Sequence, residues 1–166
     1  MSDQINHECG IALIRLLKPL EFYQKKYGTI NYGINKMYLM MEKQHNRGQD
    51  GAGFASVKLN AIPGEKYIHR KRSAGKQPIQ EIFQEINKEI YNQSLNKNTD
   101  NAPYLGQLML GHVRYGTFGK NNVESVHPFL RQNNWKHRNL IVAGNFNMTN
   151  NQELFDNLVK LGQHPK

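Results

Sequence analysis

The pattern of apolar residues along this chain predicts an α+β fold. Strand-like and helix-like periods follow one another as strand, helix, two strands, helix, then further strands and a closing helix, which is not the regular alternation of a βαβ winding. Polar, glycine-rich segments sit where these elements end, and no repeat or compositional break marks a second domain. With 166 residues the chain can bury a real core as one domain.

The first strand is Cys9–Leu17, an apolar run that reads as a buried strand. Lys18–Tyr32, polar and aromatic with Pro19 and Gly28, reads as a surface excursion. Ile34, Met37, Tyr38 and Met41 recur at helical spacing, so Gly33–Gln44 is an amphipathic helix with its methionines in the core. Gly53–Leu59 has period two, and a Pro63-Gly64 turn leads it into a partner strand at Lys66–Arg72, giving a hairpin. Ile79, Ile82, Phe83, Ile86 and Ile90 form the next apolar stripe, started by Pro78 and ended by the polar run Asn92–Asn101. Leu105–Val113 and Asn139–Ala143 are strands. The last helix begins near Asn150, with Glu153 placed for a capping box and Leu154, Phe155, Leu158 and Leu161 as its buried face.

Composition removes several classes of function. One cysteine excludes a disulfide framework and a cysteine-based zinc or iron–sulfur site, and it suits a reducing compartment. His112, His127 and His137 have no metal-ligand spacing, so no metal site is expected, and His112 reads as a satisfied core histidine. Nothing is long and apolar enough for a membrane span, and Met1–Glu8 lacks the build of a signal peptide; the expected location is the cytoplasm. The net charge of +9 invites a nucleic-acid reading. The densest basic run, Lys66–Lys76, nevertheless alternates like an edge strand, and no nucleic-acid motif accompanies it. Nucleic acid is therefore not the expected partner.

Four segments carry possible chemistry. His7-Glu8-Cys9-Gly10 places the only thiol at the head of a rigid strand. A lone cysteine is ordinarily a small buried hydrophobe. If the Glu8–Cys9 bond were cut, however, one residue would carry both a nucleophilic sulfur and an α-amine with a pKa of about 7.7–8.0. Arg47-Gly-Gln-Asp-Gly-Ala-Gly53 links a helix to a strand, and without a following Lys-Ser/Thr it is no phosphate loop. Gly111-His-Val-Arg-Tyr-Gly-Thr117 delivers Arg114 from a strand end, where its planar fork can grip a carboxylate or pair within the domain. Ala143-Gly-Asn-Phe-Asn-Met-Thr-Asn150, between strand and helix, offers amides that could bind an oxyanion or simply form turns and a cap at Asn150.

In this order, Cys9-Gly-Ile, Arg47-Gly-Gln-Asp, Gly111-His-Val-Arg-Tyr-Gly-Thr and Asn145-x-Asn-x-Thr-Asn resemble the glutaminase domain of the amidophosphoribosyltransferase family, from about Cys9 to Leu161. Glucosamine-6-phosphate synthases would have Tyr at Gln49 and Thr-Arg-Trp at Val113–Tyr115. The resemblance implies a class II glutamine amidotransferase with an N-terminal-nucleophile hydrolase fold, a four-layer αββα sandwich incomplete at its C-terminal end. It implies a leader at 1–8, removed by self-processing, and a glutaminase domain over 9–166, with the phosphoribosyltransferase domain lying outside this chain. Cys9 would attack the side-chain amide of L-glutamine and the ammonia would serve 5-phosphoribosylamine formation in purine synthesis. Asn145 and the backbone N–H of Phe146 would form the oxyanion hole, while Arg47 and Gly48 would position the N-terminal residue. Arg114 would hold the substrate α-carboxylate with help from Thr117, and Tyr115 would couple glutamine binding to the synthase domain. No cofactor is implied in this segment, and the full-length enzyme would be a homo-oligomer.

The chain also departs from the family pattern. Phe146 stands where the family has glycine, and a two-residue slip would place Ala143 in the asparagine position, so Asn145 is the better match. The family aspartate for the glutamine α-amino group would fall about five residues beyond Lys166. An inactive fold-alike, used as a regulatory or binding module, is the competing expectation.

Overall fold

The computed structural model describes residues 8–95, 102–116, 122–146 and 149–163. Apolar residues at alternate positions build a four-stranded antiparallel sheet from β1 (Gly10–Arg15), β2 (Gly51–Val57), β3 (Ile68–Ser73) and β4 (Leu108–Arg114). The strand order is β1-β4-β2-β3, with Gly10 opposite Val113 and Gly53 opposite both His112 and Arg72. Two helices, α2 (Tyr32–Lys43) and α3 (Pro78–Leu95), pack on one face. Met37, Met41, Phe54, Ile79, Ile82, Ile86, Met109 and Val113 interdigitate there, all essentially without exposure. Each such side chain contributes about 1.5–3 kcal/mol by leaving water. The predicted amphipathic helices thus form, and their methionines do fill the core.

The opposite face of the sheet is only partly covered. A two-stranded sheet of β5 (Phe129–Arg131) and β6 (Leu140–Val142), entered through a cis His127–Pro128 bond, belongs to this second layer. β5 had no counterpart in the sequence pattern, whereas β6 falls within the strand expected at Asn139–Ala143. The architecture is a mixed α and β fold with antiparallel sheets, as the order of elements predicted. No described helix is long and apolar enough to cross a membrane.

Three expectations need correction. The excursion at Lys18–Tyr32 contains a helix, α1 (Leu20–Tyr27), closed by left-handed Gly28, whose N–H donates to the Gln24 carbonyl. Its apolar contact is aromatic: buried Tyr23 stacks on Tyr32 with ring centroids 5.1 Å apart. A hydrophobic-period search misses such a stripe. Secondly, β1 is buried on one face only: Ala12 points into the core while Ile11 and Leu13 are 45% and 61% exposed. Finally, the last helix, α4 (Asn151–Lys160), lacks a side-chain cap from Asn150, so the capping box does not form. Its expected buried face is open as well: Leu154 is half-buried, and Phe155, Leu158 and Leu161 are exposed.

Candidate functional site

The ends of β1, β2 and β4 meet at one end of the sheet, and three of the four predicted motifs occupy those ends. Continuing the β1–β4 register one residue past Gly10–Val113 sets Cys9 opposite Arg114, on the face that carries Ile11 and His112. The Cys9 thiol is half-buried and points to the Tyr115 carbonyl at 3.9 Å. Arg114 is only 5% exposed.

The Arg47–Gly53 segment is tied to the same corner. The backbone N–H of Asp50 donates to the Arg114 carbonyl at 3.0 Å, and an Asp50 carboxylate oxygen accepts the Gly116 N–H at 2.7 Å. Gly48 lies so close to Arg114 that a Cβ would come within 2.6 Å of its backbone, which explains a glycine there. Arg47 reaches the Glu8 carboxylate at 3.9 Å, an exposed pair that contributes little stability. Asp50 carried no predicted role, although it sits inside the quoted motif. It is the group that links two of the four motifs.

The turn after β6 is tied to the sheet through His127. The ring of His127 places Nδ1 3.0 Å from the Gly144 carbonyl and 3.2 Å from the Gly144 N–H. The same ring packs on Phe129, His112 and Phe146, at centroid distances of 4.3, 4.8 and 5.3 Å. Asn145 and Phe146 are both exposed on this turn. Among the described non-glycine residues only Tyr104 has a positive φ, so Phe146 takes its place without left-handed strain. No hydrogen bond among the described residues joins Asn145 to Cys9. Thr117 lies outside the described residues.

His112 differs from the satisfied histidine expected. It is 1% exposed, yet among the described residues neither ring nitrogen has a partner within hydrogen-bond geometry. Burial first, then His127 and Arg114 nearby, push its pKa down to about 4, so the ring is neutral near pH 7. Burial lowers the pKa of His127 too, with Arg114 and Arg72 adding in the same direction.

The basic run on β3 works within the fold. Arg70 donates to the Pro128 carbonyl at 3.4 Å, and Arg72 donates to the Val126 carbonyl at 3.0 Å. Lys71 pairs with Glu85 at 2.7 Å and Glu89 at 2.9 Å; burial opposes its charge, but these bonds hold its pKa well above the ordinary lysine value. β3 is an edge strand, as the alternation suggested. Among the described residues no group of three or more His, Cys, Asp or Glu side chains gathers as metal ligands.

Comparison with known proteins agrees with the motif order. Amidophosphoribosyltransferase of Bacillus subtilis is 33% identical over 160 residues, 95% of this chain and 26% of that protein. Amidophosphoribosyltransferase 3, chloroplastic, of Arabidopsis thaliana is 28% identical over 96% of this chain and 23% of its own length. Its homologues are amidophosphoribosyltransferases. The chain matches their N-terminal part and spans about a quarter of those two relatives, against 57% of the amidophosphoribosyltransferase of Lacticaseibacillus casei, which is 28% identical over 147 residues. No family model matches the chain. Among solved structures, that of "the allosteric regulatory enzyme of purine biosynthesis" superposes with a TM-score of 0.51 over 95% of this chain and 26% of that one, at 22% identity. The likeness to that structure is one of fold.

Proposed function

We propose that this chain is the glutamine-hydrolysing part of an amidophosphoribosyltransferase, acting through Cys9 once residues 1–8 are removed. The observation that carries this reading is the pairing of β1 with β4, whose register sets a half-buried thiol against a buried arginine at one end of the sheet.

The chemistry follows from those groups. The freed Cys9 α-amine takes the thiol proton, and the sulfur attacks the side-chain carbonyl carbon of glutamine. The oxyanion is held by the Asn145 side-chain amide and the Phe146 N–H. The amine returns its proton to the leaving ammonia, and a thioester remains. Water, deprotonated by the same amine, then attacks that carbon; glutamate leaves and the thiol is restored. Arg114 and Thr117 bind the glutamine carboxylate, Arg47 and Gly48 seat the N-terminal residue, and Tyr115 reports occupancy to the synthase domain. No redox change occurs and the step calls for no cofactor. Ammonia would pass to phosphoribosyl diphosphate in a phosphoribosyltransferase domain, within a cytoplasmic homo-oligomer. The sheet with helices on one face and a second β layer on the other supports a four-layer αββα sandwich with glutaminase domain boundaries 9–166.

The test is intact mass together with glutamate release. An active preparation should begin at Cys9, and Cys9→Ala should abolish glutaminase activity. Full activity with the leader retained would refute the amine as base. Phe146 in the oxyanion turn favours a second reading, an inactive fold used as a regulatory or binding module. Covalent labelling of Cys9 by a diazo-ketone glutamine analogue excludes that second reading.

A further inference from the structure

We propose that His127 is a positioning residue for the oxyanion turn, clamping Gly144 so that the Asn145 amide and the Phe146 N–H point where the oxyanion forms. The inference rests on the assignment of Asn145 and Phe146 to that role.

A continuous set of contacts runs from the main sheet to the turn. Arg72 and Arg70 on β3 hold the carbonyls of Val126 and Pro128, one on each side of His127. The His127 backbone is thereby fixed to the sheet rather than to a free loop. Its ring, 9% exposed, lies over His112 of β4 and between Phe129 and Phe146. From there Nδ1 meets both the N–H and the carbonyl of Gly144, the residue immediately before Asn145.

In one neutral tautomer Nδ1–H donates to the Gly144 carbonyl and in the other Nδ1 accepts the Gly144 N–H, so either form restrains the same residue. Asn145 and Phe146, the next two residues, are exposed. The ring of Phe146 folds back over Gly144 and rests on His127. Loss of this contact lets the turn shift, and a misplacement near 1 Å can cost about a hundredfold in rate.

The prediction separates Nδ1 from mere bulk. Asparagine places a polar group near the position of Nδ1, whereas glutamine reaches the position of Nε2. In the full chain, His127→Phe should lower kcat for glutamine hydrolysis by about ten- to a hundredfold, with KM within about threefold because Arg114 is untouched. His127→Asn should restore kcat to within about fivefold of the wild type, and His127→Gln should not. All three are compared at equal folded fraction by circular dichroism; if the phenylalanine variant does not fold, the Asn and Gln pair still decides. Equal kcat in the Asn and Gln variants, or a loss carried by KM, overturns the positioning role while leaving the glutaminase reading intact. A wild-type chain that begins at Cys9 and releases no glutamate overturns both.

Discussion

The Asp50 carboxylate accepts the backbone N–H of Gly116 at 2.7 Å, so the turn before β2 and the turn after β4 are joined by a charge-assisted bond. Gly116 lies two residues beyond Arg114, and Asp50 N–H also holds the Arg114 carbonyl. Removing the carboxylate therefore loosens the backbone that aims the guanidinium. Asp50→Ala should destabilise the fold by about 1.5–3 kcal/mol, the range for bonds to charged groups, with Asp50→Asn losing less. Urea denaturation of the three proteins gives the difference. If the carboxylate also aims Arg114, KM for glutamine rises in parallel.

Phe54 lies at the centre of the core. It is fully buried on β2, with its ring 5.7 Å from Phe83 of α3 and 6.2 Å from Tyr104. Truncation opens a cavity between sheet and helix that the surrounding side chains can fill only in part. Phe54→Ala should cost about 3–5 kcal/mol, while Leu13→Ala, on the exposed face of β1, should stay within about 0.5 kcal/mol. A comparable loss at both positions would mean that the outer face of β1 is covered in solution.

These two positions also mark where the sequence could be read and where it could not. Helices α2 and α3 were legible because Met37, Met41, Ile82 and Ile86 recur at 3.6 residues and face one continuous core. Three site segments were legible as glycine-rich element ends. Helix α1 was hidden because its buried contact is Tyr23 on Tyr32, which a hydropathy period does not register. The open faces of β1 and α4 were unreadable for another reason: apolar periodicity reports a face suited to burial, not the element that buries it. Sequence spacing tests His127 only as a metal ligand; its contact to Gly144 was not legible, since a histidine before proline has no periodic signature and its partners are backbone groups 17 residues away.

Gly144 and Phe146 form a matched pair. A Cβ on Gly144 would run into the Phe146 ring, so an alanine there forces the ring or the turn to move. Gly144→Ala should lower glutaminase kcat by about tenfold or more, an effect of turn displacement. Phe146→Gly added to it removes the collision and should recover most of the loss. A double-mutant cycle measures the coupling; additive effects would show that the ring does not constrain the turn.

The His112–His127 pair makes stability depend on pH. His112 is held neutral by burial, with His127 and Arg114 close to it, and its pKa is down to about 4 against an ordinary value of 6.5. The unfolded chain binds this proton readily and the folded chain resists it, so acid favours unfolding. The stabilisation is complete above pH 6.5 and falls as pH drops toward 4, where the loss from this residue levels off. The full span corresponds to roughly 3 kcal/mol, about 2 kcal/mol of it gone by pH 5. His127, lowered by burial and by Arg114 and Arg72, adds loss of the same sign. His112→Leu carries no titrating ring, so its urea midpoint should fall less than that of the wild type between pH 7.5 and 5. Carboxylates common to both proteins cancel in that comparison. Parallel midpoints across the range would mean that the buried ring takes up its proton without cost, through a partner that the folded state supplies.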